Sequence, residues 1–140
     1  MIAIFRLPFA IHVFLYRQTG GRLVGRVQGL DVLLLTTKGH RTGKTRTTPL
    51  GYFQHESGYV VIASNGGSDR HPGWFHNLRN DPNARIEVRE RRIDVRAEIA
   101  GSGLRAALWD RLLELAPSYG VYAKRTRREI PMVTLRPAGG

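Results

Sequence analysis

Residues 84–99 read ARIEVRERRIDVRAEI, two runs in which apolar and charged side chains alternate. Ile86 and Val88 in the first run, and Ile93, Val95, Ala97 and Ile99 in the second, recur with the period of a half-buried β-strand. Two such strands joined by a short polar turn make a hairpin with one wet face, and the rest of the chain must cover the other. Further strand-like runs at 31–37, 45–54, 58–64 and 130–136 supply the cover. Between the third and fourth strands, NGGSDRHPGWFHNLRNDPN passes from a Gly-rich loop into a helical turn over WFHNLRN, which stops at Asp81-Pro82. LRAALWDRLLELA places Leu104, Leu108, Leu112 and Leu115 along one helical face, with Ser102 near its N-cap, and ends at Pro117. SYGVYAKRTRRE then leads to the last strand. Strands in runs, with two helical segments, predict an α+β domain built on a closed or half-closed antiparallel barrel over residues 21–140.

Ahead of that domain stands MIAIFRLPFAIHVFLYRQTGGR, the most apolar stretch of the chain. It is interrupted by Arg6, Pro8 and His12, lacks a small-residue cleavage site, and is shorter than the roughly 20 residues that span a bilayer. Neither a signal peptide nor a transmembrane helix is expected, so the protein reads as cytoplasmic. Phe5, Phe9, Val13 and Tyr16 follow helical spacing, and Ile2, Ile11, Phe14 and Leu15 make the other faces apolar too. A helix over 1–20 therefore needs covering: by the domain, by a second subunit in a homodimer, or by a membrane surface with Arg17, Arg22 and Arg26 at its edge.

The chain carries 22 Lys and Arg against 11 acidic residues, a formal charge of +11. Anionic partners fit that balance. A nucleic acid is disfavoured, because RERRIDVR and KRTRR are spread out rather than interleaved with exposed aromatics on one sheet face. With no Cys at all, thiol nucleophiles, disulfides and cysteine metal sites are excluded, and redox chemistry would need a bound cofactor. No metal site is expected: His71 and His76 flank Pro72-Gly73, and no carboxylate joins them at ligand spacing.

LLLTTKGHRTGKTRTTPL, residues 33–50, contains what looks like a phosphate loop. Only His40, Arg41 and Thr42 separate Gly39 from Gly43, where a nucleotide hydrolase needs four residues, and a strand follows in place of a helix. What remains is a strand, a Gly-containing turn and a strand, with Lys38, Arg41, Lys44 and Arg46 around the turn. A solvated hairpin turn and an anion-binding loop both fit. IASNGGSDRHPGWFHN reads either as an ordinary strand-to-helix loop or as a rim whose backbone meets a planar heterocycle. Tyr119 and Tyr122, at i and i+3, would cover the core or face a ligand.

The three stretches LLLTTKGHRTGKTRTTPL, VIASNGGSDRHPGWFHNLRNDPNARIEV and YGVYAKRTRREIPMVTLRP, in this order and at these separations, resemble the deazaflavin-dependent nitroreductase family of coenzyme F-420-dependent reductases. The resemblance runs from YRQTGGRL to the final strand. It implies a split β-barrel of the FMN-binding-like kind, antiparallel with about six strands, and a hydride-donating deazaflavin whose tail carries a phosphate and glutamates. It implies His40, Arg41 and Thr42 at the phosphate-bearing part, with Lys38 and Lys44 close by, and Arg46, Thr47, Thr48, Pro49 and Leu50 along tail and ring edge. Ile62, Ala63, Ser64 and Asn65 would contact the deazaflavin, Gly73, Trp74, Phe75, His76 and Asn77 would close its other side, and Tyr119 and Tyr122 would be the substrate-side, catalytic pair. Quinones and nitroaromatics are the implied acceptors. Members that reduce nitroimidazoles carry tyrosines where this chain has Gly51 and Ala116, which predicts a wider pocket here. FMN on the same barrel, or a non-catalytic deazaflavin carrier, are the alternatives.

Overall fold

The computed structural model describes residues 8–21, 26–27 and 29–139. The elements run α1 (Phe9–Gln18), β1 (Arg26–Val27), β2 (Leu30–Lys38), β3 (Thr45–His55), β4 (Gly58–Ile62), a 3-10 turn (Asn65–Gly67), α2 (Gly73–Asn80), β5 (Asn83–Val88), β6 (Arg91–Ile99), α3 (Ser102–Leu115), α4 (Tyr119–Arg125) and β7 (Met132–Pro137). The strand order β1-β2-β3-β4-β7-β6-β5, with β5 pairing back onto β2, closes β2 to β7 into a six-stranded antiparallel barrel. This is the expected split barrel. Closure rests on three residue pairs, Leu34 with Glu87, Leu35 with Ile86 and Thr36 with Arg85, which join segments some fifty residues apart in the chain.

The alternating hairpin is β5–β6, with Ile86 opposite Ile93 and Ala84 opposite Val95. Its turn falls at Arg89, in the left-handed region at φ 57°. The barrel interior joins Leu33, Leu35, Val61, Ile86, Val95, Val133 and Leu135 to Trp74, Phe75 and Leu78 of α2. On β2 the intervening Val32 and Leu34 point outward beneath Val13 and Tyr16 of α1. Both faces of β2 are thus buried, which is why its sequence is a continuous apolar run rather than an alternating one. A second outer layer packs Leu108 and Leu112 of α3 and Tyr119 of α4 over Val60, Ile62, Phe53 and Met132.

Two local expectations change. Pro117 stops α3 but also opens a further helix, α4, whose first bonds run from Tyr119 N–H to Ala116 O and from Gly120 N–H to Pro117 O; proline at a helix start loses no bond the helix needs. Ser102 is the first residue of α3, next to its N-cap Gly101 as expected, and no side chain caps the helix. Only one face of α1 is covered: His12, Val13 and Tyr16 are buried while Phe9 and Phe14 remain 61% and 59% exposed. The expected helix began at residue 1, and residues 1–7 lie outside the described ones.

Polar contacts fasten α1. Arg17 donates through Nε and Nη2 to both carboxylate oxygens of the buried Glu87, at 3.0 and 2.6 Å. The Tyr16 hydroxyl accepts from Arg89 N–H at 2.7 Å and faces Glu87 O at 3.3 Å.

Candidate active site

A cleft of about 810 Å³ opens between β3, the β2–β3 loop, the β4–α2 loop, the start of α2 and Tyr119 of α4. Its shape begins with the loop of residues 39–44. Gly39 N–H donates to Lys44 O and Gly43 N–H to Gly39 O, both at 2.8 Å. Gly43 takes φ +74°, and a Cβ on Gly39 would come within 2.9 Å of Lys44 O, so both glycines are required by this turn.

The buried Asn77 of α2 anchors the loop from below. Its Oδ1 accepts from His40 N–H at 2.9 Å and meets His40 Nδ1 at 2.7 Å, while its Nδ2 donates to Thr37 Oγ1 at 2.9 Å. A carboxamide oxygen only accepts, so the His40 proton sits on Nδ1 and Nε2 is the ring's free acceptor when neutral. The rings of His40, His76 and His71 stand in file, 5.7 Å apart at each step. Burial, then Arg79, His40 and Arg41, lowers the His76 pKa; burial, then Arg128, His76 and Arg79, lowers that of His71. Below that file β3 carries Arg46, Thr48, Pro49, Leu50 and Gly51 past the cleft floor.

At the far end stands Tyr119, 6% exposed. Burial, reinforced by neighbouring Tyr122, pushes its hydroxyl up to about 12. Tyr122 packs edge-on at 5.3 Å. The phenol oxygen lies 3.3 Å from the point a Cβ on Gly51 would occupy, and Leu30 Cδ1 lies 3.1 Å from it. The absent side chain at 51 therefore leaves no empty wall: Tyr119 and Leu30 fill that space. Ala116 is buried beneath α3, in the outer apolar layer, and does not line the cleft. The wider pocket expected from these two residues is not what the packing gives.

Of the residues singled out in the sequence, the cleft brings together His40, Arg41, Thr42, Arg46, Thr48, Pro49, Leu50, Ile62, Ser64, Asn65, Gly73, Trp74, Asn77 and Tyr119. Seven stand apart from its lining. Lys38 and Lys44 are exposed at the ends of the loop. Thr47 turns to Thr36, oxygen to oxygen at 2.8 Å, because strand alternation sends it to the face opposite Arg46 and Thr48. Ala63 and Phe75 are in the barrel core, His76 stands between the other two rings, and Tyr122 backs Tyr119. Gly66, read in the sequence with Ser64 and Asn65 as backbone for a planar ring, is on the lining too; missed by sequence reasoning were Phe9, Ser68, Arg70, His71 and Pro72, all on the lining. The loop SNGGSDRHP announced most of them, but its histidine was weighed only as a metal ligand. At Gly66 and Gly73 an added Cβ would meet nothing within 4 Å, so both backbones are open to a flat ligand.

Comparison with known proteins agrees with this geometry. The family model described as F420H(2)-dependent quinone reductase matches residues 9–137. An F420H(2)-dependent quinone reductase of Mycobacterium tuberculosis (strain H37Rv) is 40% identical over 129 residues, 89% of this chain and 87% of the relative. A solved structure described as a domain-swapped dimer superposes with a TM-score of 0.72 at 26% identity, covering 91% of this chain and 93% of the other. An F420-H2 dependent reductase superposes with a TM-score of 0.68 at 29% identity, over 75% of this chain and 93% of that one.

Proposed function

The chain belongs to the F420H(2)-dependent quinone reductase family, and from that premise we propose that the deazaflavin lies along β3, with its anionic tail at the β2–β3 loop and the quinone at Tyr119. The observation that carries this reading is the polarity of the cleft. Arg41 and Arg46 stand at the loop end, with a third lining cation, Arg70, across the cleft on the β4–α2 loop, and the buried phenol stands over Gly51, five residues beyond Arg46 along an extended strand. That is roughly 17 Å of strand, an elongated site for a ligand with a charged tail and an uncharged ring. The volume is within the ~300–1,000 Å³ typical of small-molecule clefts, and the bare backbones of Gly66 and Gly73 fit a planar heterocycle. The family's dependence on F420H(2) makes FMN unnecessary as a cofactor.

Bound in reduced form, the deazaflavin supplies a hydride. The chain has to position, neutralise and exclude water. Arg41 and Arg46 offer charge and hydrogen bonds to phosphate and carboxylate oxygens, and the His40 ring, its Nδ1–H held by Asn77, would join them only with Nε2 protonated. Trp74, Leu50 and Ile62 give the ring an apolar surround. A quinone needs a proton as well as a hydride to become a hydroquinone. With its pKa at about 12, Tyr119 keeps its proton at neutral pH and can only donate to the acceptor oxygen, as a hydrogen bond or as an acid. A nitro oxygen addresses the same hydroxyl, so nitroaromatics are the second acceptor class of the proposal.

Phe9, Ile11 and Phe14 leave an apolar face on α1, and Phe9 also reaches the cleft. No helix among the described residues is long and apolar enough to cross a membrane. A peripheral contact with lipid through α1, beside the mouth through which a lipid-soluble quinone enters, is the partner reading we favour; a homodimer covering the same face is the other. Flotation with anionic liposomes and sedimentation velocity separate them. The central experiment is an absorbance titration with oxidised coenzyme F-420, followed by turnover of the reduced form with quinones and nitroaromatics. Saturable binding with quinone turnover is expected. Binding without turnover would make the protein a carrier, and no binding would end the proposal.

A further inference from the structure

Arg128 lies between α4 and β7 in the run KRTRR, which by sequence is a solvated basic patch. Its guanidinium is committed to the opposite wall of the cleft. Nε donates to Ser68 O at 2.9 Å, Nη2 to Ser64 O at 2.9 Å, and Nη1 to Ala63 O at 3.1 Å. Nη1 also meets His71 Nδ1 at 3.1 Å. Beside it, Thr126 Oγ1 donates to Asp69 Oδ1 at 2.8 Å and accepts from Arg128 N–H at 3.3 Å. Two neighbouring residues thus tie down the whole β4–α2 loop from 63 to 71, three residues of which run through left-handed φ: Asn65, Gly66 and Gly67. Such a backbone keeps its shape only if its surroundings hold it.

The guanidinium has donors and no acceptor, so at the Arg128–His71 contact the imidazole Nδ1 must accept. His71 is then neutral with its proton on Nε2. The charged and titratable groups facing this ring are Arg128, together with His76 and Arg79 from α2, and its other neighbour is the apolar ring of Phe75, 4.6 Å away between centroids. None of these would draw a second proton onto it.

We propose that Arg128 is a positioning residue: it holds the 63–71 wall in its cleft-lining shape and presents His71 as a neutral Nε2–H donor for an oxygen of the cofactor in the cleft. The idea rests on the deazaflavin reading for the identity of that oxygen only. The wall and the tautomer belong to the protein alone.

The test begins without cofactor. In protein labelled with 15N histidine, His71 should show a protonated Nε2 and an unprotonated Nδ1; a proton on Nδ1 overturns the proposal. In Arg128→Met, amide exchange over 64–71 should accelerate about tenfold or more, the His71 titration should move up, and affinity for oxidised coenzyme F-420 should fall about tenfold or more, the scale of a lost charged hydrogen bond. Arg128→Lys should restore only part of this, since an ammonium cannot span the four acceptors. A Met variant that exchanges and binds as the unaltered protein does overturns the proposal. Should that variant not fold, His71→Phe decides the donor role: weaker F-420 binding with unchanged exchange at 64–70 supports it, and equal binding refutes it. The expected tautomer and exchange in a protein that binds no F-420 would uphold the clamp and count against the deazaflavin reading instead.

Discussion

Asn77 is the residue on which the loop end of the cleft depends, and replacing it with Leu, of similar size, tests that dependence. Its carboxamide makes three hydrogen bonds, two to His40 and one to Thr37, while being only 6% exposed. The losses are unequal. Thr37 is buried, so its hydroxyl would be stranded, at roughly 1–3 kcal/mol, whereas the two His40 donors lie on an exposed loop and regain water, at roughly 0.5–1 kcal/mol each. The sum, about 2–5 kcal/mol, corresponds to a fall in Tm of roughly 6–20 °C for a domain of this size. The loop would also lose its link to α2, and a loop that must be ordered on binding lowers affinity; about tenfold weaker F-420 binding is expected. Asn77→Asp is the control. Its carboxylate still accepts from both His40 donors, and the Thr37 hydroxyl can donate to it instead of accepting, so binding should fall less. Thermal unfolding by circular dichroism and the absorbance titration provide both readouts. If Asn77→Leu keeps its Tm within a degree or two and binds cofactor normally, the account of how the loop is held is wrong.

Other outcomes follow from the same geometry. Arg41→Ala should weaken deazaflavin binding about 10- to 100-fold and flatten its salt dependence, measured by titration at several ionic strengths. Tyr119→Phe should leave cofactor affinity nearly unchanged while lowering quinone turnover by roughly one to two orders of magnitude, since one transition-state hydrogen bond is worth about 1–3 kcal/mol. Arg17→Met strands the Glu87 carboxylate; because the arginine side chain is 45% exposed, the cost should be about 1–2 kcal/mol rather than the full penalty of a buried pair, read by denaturant unfolding. His71 and His76 have folded pKa values below the ordinary 6.5. As pH falls through about 6.5 the unfolded chain therefore takes up protons that the folded one refuses, and stability should decline from there toward the lower folded values, a slope that His71→Phe should reduce.

How much of this was written in the chain depends on the range of the forces involved. Period-two alternation over 84–99 and the β-branched runs around Gly39 and Gly43 are local properties, so strands β2 to β7 were legible to within about two residues. The three motifs that line the cleft were legible as well, because each lies on one continuous segment. The local signal also misled: Pro117 was read as a stop, although proline serves equally at the first turn of a helix, and α4 was missed. Closure of the barrel by β2 and β5, the hold of Asn77 on His40 across 37 residues, and the grip of Arg128 on a loop some 60 residues away have no local signature. Any arginine in KRTRR could have been solvated, and only the packing of α4 beside the 3-10 turn puts this one within reach of four acceptors. The same holds for Gly51, which in sequence is a missing side chain. In the folded chain Tyr119 and Leu30, brought in from α4 and β2, already occupy the space, because close packing is decided by whichever segments meet, and the sequence around a single position does not record which ones will.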